Sequence, residues 1–174
     1  MKWLSIILVC SLFWNSVPKE KYTYAEKPIL DWSDFMGTPP INAHHAANVN
    51  SGIAFSYQVK KNNRNTYIIT FEVRSEFYPQ LSWKKDLNEN DSDLLRHEQQ
   101  HWNISEVYAH KLRDAFDQYK ASRNYKREID QIFKSIESQR QQLQDRYDRE
   151  TNHGLNRQAQ RDWEVRIAEM LFRL

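Results

Sequence analysis

The chain has 174 residues, room for one domain with a real core, and its 25 basic and 23 acidic residues leave a net charge of +2. The two signs are interleaved, so no charged patch points to nucleic acid or acidic lipid as a partner. Three Gly and five Pro argue against a loop-rich or repeat scaffold, and the single Cys10 excludes an intrachain disulfide.

The first element is "MKWLSIILVCSLFWNS": Lys2, an apolar run from Trp3 to Trp14, then polar residues. About a dozen apolar residues are too few to span a bilayer and suit the core of a signal peptide. Residues 1–25 are expected to be that leader, cleaved near Ser16 or after Ala25, leaving 26–174 as one domain with no membrane span. The alternative is a buried N-terminal strand or helix. Lipid attachment at Cys10 is disfavoured, because Val9 is a poor residue before a lipidation cysteine and an apolar stretch follows. The protein is therefore expected in the periplasm or outside the cell.

Residues 19–40 read as irregular, with turn residues Gly37, Pro39 and Pro40. "SGIAFSYQV" and "NTYIITFEVR" then alternate apolar and polar residues with period two. Ile53, Phe55, Tyr57 and Val59 share one face, and Tyr67, Ile69, Phe71 and Val73 share another. The polar connector "KKNNRN" makes them an antiparallel hairpin over about 52–74. From there the period is helical. A helix over about 92–119, capped by Asp91 or Ser92, carries Leu94, Leu95, Ile104, Val107, Leu112 and Phe116 at helical spacing. A more polar helix over about 124–152 follows, with Gly154 as its stop signal, then a third containing Trp163, Ile167, Met170 and Leu171. The fold class is α+β: a small antiparallel sheet followed by three helices.

The chemistry sits in "LLRHEQQHWN". His97 and His101 stand one turn apart on one helix face, so both imidazoles can grip one ion. Zinc suits two imidazole nitrogens, takes a third protein ligand, and keeps a fourth position for water in catalytic sites. Glu98, beside the first ligand, is placed to take a proton from that water. A later glycine and histidine at the spacing of metzincins are missing, since Ile104 and Val107 hold those places. His110 points away around the helix. The third ligand is sought in "YDRETNHGLN". His153, beside a glycine that permits close backbone approach, is the expected ligand, with Glu150 the alternative or an orienting partner. Tyr147 is a candidate donor to a developing oxyanion, although an aromatic on that helix also suits the core. His44 and His45 are expected to be solvated loop residues, and Trp32 and Phe35 to pin the N-terminal segment to the core.

"LDWSDFMG", "LLRHEQQHWNI", "YDRETNHGLN" and "QRDWEVRI" together resemble a bacterial family of predicted secreted zinc-dependent proteases, long grouped as a domain of unknown function. The resemblance runs over roughly residues 28–170. It implies a zincin-like site with His97 and His101 as ligands and Glu98 as base, completed from the "ETNHG" segment. The expected function is an exported zinc (Zn2+) metallopeptidase acting on a protein or peptide. The rival is a non-catalytic, zinc-stabilised envelope protein that binds a partner and whose fourth metal position is closed by Asp148 or Glu150. In zincins substrate often lies along an edge strand, and by analogy the 52–74 hairpin would supply it.

Overall fold

The alternating segments form the long hairpin that organises the sheet. In the computed structural model, which describes residues 19–62, 66–86 and 91–173, β3 (Ser51–Lys61) pairs antiparallel with β4 (Tyr67–Phe77). The register sets Phe55 opposite Val73, Tyr57 opposite Phe71 and Val59 opposite Ile69, so the apolar sets of both strands share one face. The hairpin is a few residues longer than its sequence pattern because β4 continues to Phe77, where a short strand β1 (Tyr22–Thr23) adds to its free edge. A second small sheet pairs β2 (Ala47–Asn48) with β5 (Trp83–Lys84).

Three helices follow: α1 (Ser92–Asp117), α2 (Tyr125–Thr151) and α3 (Arg157–Phe172). The architecture is the α+β arrangement expected. Asp91 occupies the position before α1, but its side chain makes no capping hydrogen bond. α2 ends at Thr151 and is capped by Asn152, in left-handed conformation, two residues before Gly154.

One face of α1 and the apolar face of the hairpin enclose the main core. Ile104, Val107, Leu112 and Phe116 pack there with Ile129 of α2 and Trp163 and Ile167 of α3. The Phe71 and Phe116 rings stack at 4.1 Å. A second cluster gathers Leu30, Phe35 and Phe77 around Trp102, whose indole N–H donates to the Lys27 carbonyl at 2.8 Å. Phe35 is buried and Trp32 packs beside it, so this segment is pinned to the core as expected. α1 is thus covered on several sides by the sheet, the N-terminal segment and the other two helices.

Of the expected leader, residues 1–18 lie outside the described residues. Residues 19–25 belong to the folded body. Tyr22 and Thr23 pair with β4, and the Tyr24 hydroxyl donates to Asn103 at 2.9 Å.

Candidate metal centre

His97 and His101 face α2 across the helix–helix contact, where Asp148 meets them. The Asp148 Oδ1 atom lies 3.1 Å from His97 Nε2 and 2.9 Å from His101 Nε2, and the two Nε2 atoms are 3.2 Å apart. These three atoms form the one group of metal-ligating side chains with such convergence among the described residues. The spacing suits zinc: a tetrahedral ion with bonds of about 2.0–2.1 Å separates its ligand atoms by about 3.3 Å. The donor set, two imidazoles and a carboxylate, also matches a zinc centre with an open position.

The backs of the imidazoles are held as firmly. His97 Nδ1 is 3.1 Å from Gln160 Oε1 on α3, and His101 Nδ1 meets Gln144 Oε1 on α2. The Tyr147 ring stacks on His97 at 4.7 Å and stands edge-on to His101. Gly154, at φ +83°, lies so close to His97 that an added Cβ would sit 3.1 Å from its Cβ and Cγ. Backbone conformation and close approach both favour glycine here.

Charge follows the same geometry. Burial pushes the Asp148 carboxyl up, but hydrogen bonds from both imidazoles outweigh it and hold it well below the usual carboxylate range. Burial pushes the His101 imidazole down, yet the Asp148 carboxylate beside it raises the net value.

Glu98 is 4 % exposed and accepts a hydrogen bond from the Val49 N–H at 2.8 Å, just past β2. It opens with His97, His101 and Asp148 into a cavity of about 1030 Å³. The strand at the rim of this cavity is β2, with only Ser51 reaching it from the long hairpin. The 52–74 hairpin, expected by analogy to supply a substrate edge, packs its apolar face on α1 and reaches the cavity only at its start.

The remaining sequence-predicted residues are distributed unevenly. His153 is half exposed, with Nδ1 3.6 Å from Asp148 Oδ1, so it borders the cluster without joining the three converging atoms. Glu150 faces away from it, bonded to Arg146 at 2.6 Å and to the Trp163 indole at 2.9 Å. The Tyr147 hydroxyl is fully buried and donates to Gln160 Oε1 at 2.8 Å, with the His97 carbonyl at 3.3 Å. It does not line the cavity, and burial raises its pKa further. His44 and His45 are exposed, as expected, but both border the cavity, and His45 lies ring to ring with His153 at 4.4 Å. His110 pairs with Glu106 at 3.1 Å, away from the centre.

Asp148 as a direct partner of both histidines, and Gln144 and Gln160 behind them, were not read from the sequence in these positions. A signal existed. Gln144, Tyr147, Asp148 and Thr151 recur at i, i+3, i+4 and i+7, so polar side chains occupy the very face of α2 that turns toward α1.

The fold and this cluster together define an α+β protein with a candidate two-histidine, one-aspartate metal centre. The chain belongs to the family described as "Bacterial protein of unknown function (DUF922)", whose model matches residues 36–154. That span holds the H-E-x-x-H helix, Asp148, His153 and Gly154. No curated protein and no solved structure matches the chain. The family description states no activity, so the hydrolytic part of the expectation rests on the site's chemistry.

Proposed function

We propose that this protein is a zinc-dependent metallopeptidase in which His97, His101 and Asp148 hold the ion and Glu98 is the general base. The observation that carries the reading is the convergence of three ligand atoms beside a buried glutamate at the floor of an open cavity. Bound zinc would acidify a water and polarise a substrate carbonyl. Glu98 takes the proton from the attacking water and passes it to the leaving amine. The Val49 N–H fixes one oxygen of that carboxylate, and Glu98 lines the cavity. The extended backbone at β2 is the natural rail for a peptide, since it borders the cavity directly above Glu98.

The test is bound zinc and casein hydrolysis measured on wild type and Glu98→Gln. Zinc retained with hydrolysis reduced at least a hundredfold is the expected result. Full activity in Glu98→Gln would overturn the mechanism. Zinc bound by a protein that hydrolyses nothing would favour the second reading, a zinc-stabilised envelope protein that binds a partner. His153 supports that alternative, being close enough to Asp148 to approach a fourth metal position.

Export belongs to the same proposal and rests on the N-terminal pattern. Because residues 19–25 pair with the sheet and Trp102, cleavage near Ser16 suits this fold better than cleavage after Ala25. Among the described residues no helix is long and apolar enough to cross a membrane.

A further inference from the structure

We infer that Gln144 and Gln160 are positioning residues: their carboxamide oxygens hold the Nδ1 protons of His101 and His97, so that both imidazoles present Nε2 lone pairs to one metal ion. The inference rests on the metal-centre reading and not on proteolysis.

The orientation of both amides is set by what lies at their other ends. Gln160 Nε2 donates to the Glu164 carboxylate at 3.1 Å, while Oε1 accepts from the Tyr147 hydroxyl and faces His97 Nδ1. Turned over, the amide would aim its oxygen at a carboxylate and its N–H groups at two donors. Gln144 Nε2 donates to the His101 carbonyl at 2.9 Å, while Oε1 faces His101 Nδ1. Turned over, it would set oxygen against oxygen. In both cases Nδ1 meets an acceptor, so once a cation takes the Nε2 side, where Asp148 otherwise accepts from both rings, the proton is held on Nδ1 and the lone pair of each neutral ring faces the ion. The two Nε2 atoms stand 3.2 Å apart beside the Asp148 carboxylate, spaced to share one cation.

The choice of amide over carboxylate also has a consequence. A carboxylate behind each histidine would add negative charge to a centre that already contains Asp148. Neutral amides orient the rings equally well and leave two imidazoles and one carboxylate around a divalent ion with a net charge of +1. The centre keeps its electrophilic character.

The experiment measures zinc affinity by competition with a chromophoric chelator, on full-length wild type, Gln160→Met, Gln144→Met, and the exchange Gln160→Glu with Glu164→Gln. Methionine fills the space without an acceptor for Nδ1–H, and affinity is expected to fall about 10–100-fold in each Met variant. The exchange restores both an acceptor at 160 and a donor at 164, and is expected to return affinity to within about threefold of wild type, taken as the width of the assay. Wild-type affinity in both Met variants would overturn the inference. So would equal loss in the exchange and in Gln160→Met, which would mark Gln160 as packing alone. Gln144 lies on α2 and Gln160 on α3, so a folding failure in one leaves the other to decide. Histidine ¹⁵N spectra of the zinc-loaded wild type supply a direct reading. Metal attachment through Nε2 in both rings is expected, and attachment of either through Nδ1 would refute the assignment. A wild-type protein that binds no zinc would instead overturn the metal-centre reading itself.

Discussion

Replacing Gly154 with alanine tests whether the turn after α2 is built around His97. Gly154 sits at φ +83°, where an L-residue with a Cβ costs about 1–2 kcal/mol. The added Cβ would also stand 3.1 Å from His97 Cβ and Cγ and 3.4 Å from Nδ1, close enough that something must move by a few tenths of an ångström. The imidazole cannot yield freely, since Tyr147 stacks on one side and Gln160 bonds Nδ1. Crowding of this kind adds roughly another 1 kcal/mol, giving about 2–3 kcal/mol in all. For a domain of this size that is a drop in Tm of roughly 5–10 °C, with a parallel loss of metal affinity as His97 is displaced. Gly52 is the internal control, because a Cβ there meets nothing within 4 Å and Gly52→Ala is expected to leave Tm within about 2 °C. Gly154→Asn, which tolerates the left-handed region better, is expected to recover part of the backbone cost but none of the contact cost. Thermal melts and zinc titrations of the three variants decide it. A Gly154→Ala protein with wild-type Tm and wild-type affinity would refute the reasoning.

The metal stoichiometry of Asp148→Ala, His153→Ala and Glu150→Ala is expected to be near zero, near one and near one; zinc lost only with His153→Ala would return the third ligand to the residue the sequence favoured. Tyr147→Phe removes a hydroxyl bonded to Gln160 and is expected to cost about 1 kcal/mol in urea denaturation while changing hydrolysis less than tenfold. A hundredfold loss of kcat at unchanged stability would make Tyr147 catalytic after all. Burial pushes the Glu76 carboxyl up, but bonds from Lys21, Tyr78 and Arg74 prevail and hold it at about 2. A depressed carboxylate contributes stability that is complete above its ordinary pKa and lost as pH falls through its folded value. Stability should therefore decline between about pH 5 and pH 2, by on the order of 2 kcal/mol from this group after screening at the exposed Lys21. Glu76→Gln should flatten that window in pH-dependent denaturation, and an unchanged slope would remove Glu76 as its source.

The hairpin and all three helices were legible because long amphipathic segments repeat their signal many times. Helix α1 was expected over 92–119 and spans Ser92–Asp117; α2 was expected over 124–152 and spans Tyr125–Thr151. The two-residue strands β1, β2 and β5 carry no period to read and exist only through their partners. The same contrast holds in the site. His97, Glu98 and His101 are near neighbours on one helix, so spacing alone reveals them. Asp148 reaches them through the packing of α2 on α1; the helical spacing of Gln144, Tyr147, Asp148 and Thr151 marks that face but not its partner, and the eye is drawn instead to His153 and its glycine. That glycine does make a close approach, but to the His97 ring, while His153 turns outward against His45.

The separation of these ligands along the chain has a thermodynamic side. An ion gripped by His97 and Asp148 closes a loop of 51 residues between two helices. By chain entropy, a covalent bridge across such a loop would disfavour the unfolded chain by about 4 kcal/mol. With a single cysteine, the sequence can form no such bridge within itself. A metal at this centre would serve as its cross-link, removable by a chelator, so that loading with zinc and resistance to unfolding would rise and fall together.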